Sequence, residues 1–90
     1  MLVCLMARDK QGALDVRKEN RAAHVEYLKS TDHVHLAGPL IDADGEMCGS
    51  MIVLDVPDMK AAESWAAQDP YAKAGLFESV SLTEWKKVIG

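Results

Sequence analysis

The sequence predicts an α+β fold: a ferredoxin-like β-α-β-β-α-β protomer, with a four-stranded antiparallel sheet and two helices on one face. Three observations carry this. Short apolar runs suited to strands stand near both ends and in the middle of the chain. Two stretches between them have helical spacing. The turn "DADG" (Asp42–Gly45) joins the two middle runs as a hairpin.

The elements follow in order. "LVCLMA" (Leu2–Ala7) is a short apolar run ending in charge and reads as a buried first strand. From Gly12 to Ser30 there is no proline and no interior glycine, and the apolar spacing predicts the first helix. "HVHLAGPL" is the second strand, its end disturbed by Gly38–Pro39, and "EMCGSMIVLDV" is the third. Asp58 follows Pro57 and caps a second helix, "MKAAESWAAQ", with Met59, Ala62, Trp65 and Ala66 on one side. In "QDPYAKAGL", Asp69 suits an N-cap, Pro70 a first helical position and Gly75 the residue past a helix end, which predicts one short helical turn. "LFESVSLTEWKKVI" alternates loosely and is the last strand, bent or bulged. Helices on one face leave the other face of the sheet bare, yet several residues meant for it are apolar or aromatic. In so short a chain a second copy must cover them, so a homodimer is predicted.

Ninety residues with 49% hydrophobic and 27% charged content describe a single globular domain over the whole chain, 1–90. The net charge of −4, from 14 acidic and 10 basic residues, argues against nucleic acid or an anionic membrane as partner. Cys4 and Cys48 lack CxxC spacing and sit in apolar runs, where cysteine behaves as a small buried hydrophobe. The first apolar run is too short for a signal or membrane segment and has no basic stretch before it, so a cytoplasmic location is expected.

The first helix breaks its own pattern. On a wheel, Leu14, Val25 and Leu28 share one arc of roughly 100°, the stripe meant for the sheet. Arg17, Arg21 and His24 fall inside that arc, stacked turn upon turn. Charge inside an apolar stripe is costly unless it is paired or lines a wet cavity. Arginines snorkelling from the edge beside a satisfied core histidine would explain the trio; so would one pocket. A pocket needs a negative counterpart. The fold leads the segment after the second helix to the sheet edge beside the first, where Asp69 can meet His24. A carboxylate accepting the imidazole N–H would fix its tautomer, the usual support of a general base.

Other candidates carry less. His33 and His35 share one side of a strand, but no further ligand joins them, and they are read as exposed or dimer-facing; no metal is expected. Ser50 lacks a nucleophile elbow and is read as lining a cavity or bonding a neighbour. Tyr71 suits packing or a ligand contact equally, and Trp65 and Trp85 are assigned to core and dimer packing. No phosphate-binding glycine loop or other cofactor motif is present, so no cofactor is expected.

Together "RKENRAAH", "AGPL", "GS" and "DPYAKAGL" resemble the YciI-like (YCII-related) family of the dimeric α+β barrel superfamily, in matching order along essentially the whole chain. The resemblance implies a ferredoxin-like protomer, a dimer made by packing two sheets into a barrel, and a pocket with a His–Asp dyad. Carried over, His24 is the dyad histidine and Asp69 its carboxylate; Arg17 and Arg21 stand near the pocket, and Ser50 and Tyr71 line it. Two functions are compatible with this. One is a cofactor-free acid–base enzyme, of isomerase or lyase type, acting on a small organic anion whose carboxylate or developing enolate is held by Arg17 and Arg21 together. The other is a non-catalytic domain that binds such an anion or serves as an accessory module.

Overall fold

Alternation shapes the first strand. The computed structural model describes residues 1–90. In its β1 (Leu2–Asp9), Val3, Leu5 and Ala7 are buried under the helices, while Leu2, Cys4 and Met6 point to the other face and stay half-buried. The chain continues through α1 (Leu14–Ser30), β2 (Val34–Ile41), β3 (Met47–Asp55), α2 (Met59–Gln68), α3 (Pro70–Lys73) and β4 (Phe77–Trp85). All neighbouring strands pair antiparallel, in the order β2-β3-β1-β4. This is the ferredoxin-like α+β fold.

The core lies between sheet and helices. It joins Val3, Leu5 and Ala7 of β1, Ile52 and Leu54 of β3, Val56, and Ala62 and Trp65 of α2. The two long helices are tied where the tyrosine hydroxyl of Tyr27 donates to the Trp65 carbonyl at 2.8 Å and the Trp65 indole N–H donates to Thr31 Oγ1 at 3.0 Å. Asp58 caps α2 as its position predicts, accepting from the Ala61 amide at 2.8 Å. Asp42 closes the hairpin turn by accepting from the amides of Asp44 and Glu46. No helix is long and apolar enough to cross a membrane.

Several boundaries differ from the sequence reading. β1 runs two residues past Ala7, which brings Asp9 onto the same face as Val3, Leu5 and Ala7. Gly38 and Pro39 lie inside β2, whose end is irregular, with a register shift against β3 between Leu40 and Ile41; β2 is an edge strand, where a missing N–H leaves no inner ladder broken. β4 ends at Trp85, so Val88 and Ile89 lie outside the sheet, 84% and 91% exposed. The irregularity foreseen for β4 is a register shift against β1 between Arg8 and Asp9.

α1 is also turned relative to expectation. Its buried centre is Arg17 and His24, whereas Val25, placed on the sheet-facing stripe by spacing, is 37% exposed, and Arg21 is exposed too. Val16, Asn20, Tyr27 and Leu28 supply the half-buried flanks. Residues 17 and 24 lie seven apart, two turns along the same line, so one rotation buries both.

Candidate active site

Two carboxylates, remote in sequence from each other, meet the two buried bases of α1. Arg17 reaches back to the end of β1: its Nε donates to Asp9 Oδ2 at 2.7 Å and its Nη2 to Asp9 Oδ1 at 2.8 Å. This is a two-pronged ion pair with side chains 3% and 6% exposed. Nη2 also donates to Ser50 Oγ at 2.9 Å. Burial works against the arginine charge, but the hydrogen bonds and the charge of Asp9 outweigh it and raise the Arg17 pKa.

His24 and Asp69 form the second pair. Nδ1 lies 2.8 Å from Asp69 Oδ1, and that same oxygen accepts the Tyr71 amide at 2.9 Å. One oxygen, Oδ1, serves both as the cap of α3 and as the partner of His24. An ionised carboxylate only accepts, so in the neutral ring Nδ1 carries the proton and Nε2 keeps the lone pair.

Tyr71 packs the two bases together. Its ring stacks on His24 with centroids 3.9 Å apart and 15° between planes, and Arg17 Cζ lies 4.7 Å from the ring centroid. The end of α3 fixes that ring. The Leu76 amide bonds the Tyr71 carbonyl and the Gly75 amide bonds the Ala72 carbonyl, a Schellman stop that needs Gly75 at its φ of +71°. Burial raises the Tyr71 pKa, although the charges of Arg17 and Arg21 oppose it.

These groups border a cavity of about 170 Å3 between α1 and the β2–β3 half of the sheet. Arg17, Arg21, His24, Ser50 and Tyr71 line it together with apolar residues that include Leu28, Ile52 and Met47. Arg21 has no carboxylate within ion-pair distance, so it is the uncompensated cation of the cavity. Arg17 and Arg21 were expected to act alike; the pairing with Asp9 separates them. A second hollow of about 360 Å3 lies around Lys10, Gln11, Asp42 and Glu46, with no histidine in its wall. His33 bonds only the backbone of Asp55, at 3.3 Å, well away from the cavity wall.

Asp9 is the site residue that sequence reasoning missed. Reading β1 to its full length would have exposed it: period two carries the buried face from Val3 through Leu5 and Ala7 to Asp9. A carboxylate on a core face asks for a cation, and Arg17 follows eight residues later. The "GS" pair also gains a physical reason. A Cβ on Gly49 would run into the Ala7 carbonyl oxygen and meet Leu40 Cδ1 at 3.0 Å, so glycine lets β1 and β3 close up and hold Ser50 against Arg17.

Comparison with known proteins identifies the family and the fold. The model of the YCII-related domain matches residues 1–86. Protein YciI of Escherichia coli O6:H1 is 33% identical over 98% of this chain and 99% of its own. An uncharacterised protein of Haemophilus influenzae is 31% identical over the same shares. Among solved structures, the 5-chloro-2-hydroxyhydroquinone dehydrochlorinase TftG of Burkholderia phenoliruptrix, in complex with 2,5-dihydroxybenzoquinone, superposes with a TM-score of 0.90. It is 33% identical, over 96% of this chain and 94% of that one. An antibiotic biosynthesis monooxygenase, 16% identical over 97% of this chain and 100% of that one, shares the fold with a TM-score of 0.58. With its family model matched from the first residue to beyond the last strand, this chain belongs to the YCII-related domain family.

Proposed function

We propose that this protein is a small acid–base enzyme, of isomerase or lyase type, that moves a proton on a small organic anion without a cofactor. The observation that carries the reading is the buried His24–Asp69 pair, whose histidine stands on the wall of an open cavity. His24 takes a proton from carbon with Nε2, while Asp69 holds Nδ1 and balances the charge that appears on the ring. The electron pair moves to a neighbouring carbonyl oxygen as an enolate. Returning the proton to another carbon completes an isomerisation; expelling a leaving group from the adjacent carbon completes an elimination. Arg21 holds the negative charge, and Tyr71 and Ser50 position the substrate. The likeness to a dehydrochlorinase, 33% identical along nearly the whole chain, favours chemistry of the second kind.

The functional unit is a homodimer in the cytoplasm. The bare sheet face supports pairing: strand register sets Met6 beside Met51 and Leu2 beside Trp85, with Leu36 46% and Trp85 39% exposed. Sedimentation equilibrium should give twice the 9.8 kDa chain mass, and a monomer would overturn the pairing.

Turnover is tested first on 5-chloro-2-hydroxyhydroquinone and then on related hydroxylated rings and small enolisable acids. His24→Ala and Asp69→Asn should each lower kcat by about 10²–10⁴-fold. Activity that survives both substitutions would remove the pair from the mechanism.

A further inference from the structure

We propose that Ser50 is an oxyanion donor whose hydroxyl is aimed into the cavity by the Asp9–Arg17 pair, and that the substrate carries a phenolate- or enolate-type oxygen there. This rests on the cavity being the substrate site. Nη2 of Arg17 has two hydrogens: one goes to Asp9 Oδ1 at 2.8 Å and the other to Ser50 Oγ at 2.9 Å. The two-pronged contact with Asp9 fixes the guanidinium plane, so the second hydrogen has a set direction.

Ser50 Oγ therefore spends a lone pair on a charged donor. Its own O–H makes no hydrogen bond to any protein acceptor, although the residue is 2% exposed and lines the cavity. A hydroxyl that accepts from a cation is polarised and donates more strongly. Among the polar residues on the wall, Arg21 is the cation without a carboxylate partner. A negative oxygen placed between Ser50 and Arg21 receives one neutral donor and one charged donor, the pattern that stabilises an oxyanion as it develops. Asp9 and Arg17 act through Ser50 and are positioning residues; Arg17 does not hold the substrate itself.

The probe is 4-nitrophenol, whose neutral and ionised forms absorb at different wavelengths. The wild-type protein should bind the phenolate in preference to the phenol, raising the ionised share of bound probe above that of free probe at the same pH. Ser50→Ala should weaken phenolate binding by about ten- to a hundredfold and return the ionised share towards the free value. Ser50→Thr keeps the hydroxyl and should restore the wild-type share. The joint variant Asp9→Leu/Arg17→Met removes both charges together and should shift the share in the same direction by a smaller factor.

An unchanged share in Ser50→Ala, with probe still bound, overturns the role of Ser50 and leaves the His24–Asp69 reading standing. An unchanged share in the joint variant overturns the relay. If that variant does not fold, the Ser50 pair of variants decides alone. No spectral response from wild-type protein overturns both the donor and the assignment of the cavity as the substrate site.

Discussion

α1 offers two buried bases to two carboxylates, and the two pairs differ in kind. Arg17 and Asp9 are joined by two hydrogen bonds, at 2.7 and 2.8 Å, and Arg17 keeps its proton because Asp9 outweighs burial. His24 and Asp69 are joined by one contact at 2.8 Å, and the imidazole has a second nitrogen left over beside the cavity. Distance and burial are nearly the same in both. The pairs are separated by the number of protonation states open to the base, and by what else the acid must hold. Asp9 is wholly occupied by Arg17, whereas Asp69 also starts α3. A base that cannot let go of its proton builds a wall; one that can is suited to chemistry.

Breaking the permanent pair should have the largest effect. Asp9→Ala leaves a buried guanidinium without its partner and should lower stability by about 3–5 kcal/mol, read from urea unfolding. Asp9→Leu/Arg17→Met should recover most of that loss, because two apolar groups replace two charges. A double variant as unstable as the single one would show that the pair is not the source of the effect.

Close to Ser50, Gly49→Ala should cost about 1–3 kcal/mol by pushing β1 and β3 apart, and the same unfolding curves check it. A neutral outcome would mean that the strands adjust freely and that the Arg17–Ser50 contact is not held by their spacing. The second pair is then separated into its two duties by comparing Asp69→Ala with Asp69→Asn. Alanine removes the cap and should cost about 1 kcal/mol; asparagine caps nearly as well as aspartate and should leave stability almost unchanged while catalysis falls. Equal stability losses in both would mean that the contact with His24, and not the cap, dominates folding at that position.

The smallest expected effect lies in alkali. Burial raises the pKa of Tyr71, and burial followed by the charge of Asp69 raises that of Tyr27. A phenol with a raised pKa in the folded state stabilises fully below the ordinary value of about 10 and loses that contribution as pH climbs past it. Stability should decline above about pH 10, and Tyr71→Phe should flatten the decline. An identical slope in that variant would assign the decline to other groups.

The architecture was legible because strand alternation, helical spacing and turn residues agreed. Asp58, the Asp42 turn and the short helix after Asp69 behave as local chemistry predicts. The cavity was visible as a conflict, three basic residues on an apolar arc. What stayed hidden was long-range or rotational. Asp9 lay just beyond a strand that seemed to end at Ala7, and its partner belongs to the next element. The setting of α1 depends on packing between Tyr27 and Trp65, which no wheel contains. That rotation moved Arg21 and Val25 outwards while keeping Arg17 and His24 in.

The outward shift divides the wall into two kinds of position. Arg17 and Ser50 are locked to the framework, but Arg21 and Val25 form an accessible rim on one side of a single helix. Exchanging Val25 leaves every interior hydrogen bond and the charge of Arg21 intact. A designer, or natural selection, can therefore retune which molecules enter without rebuilding the machinery behind them.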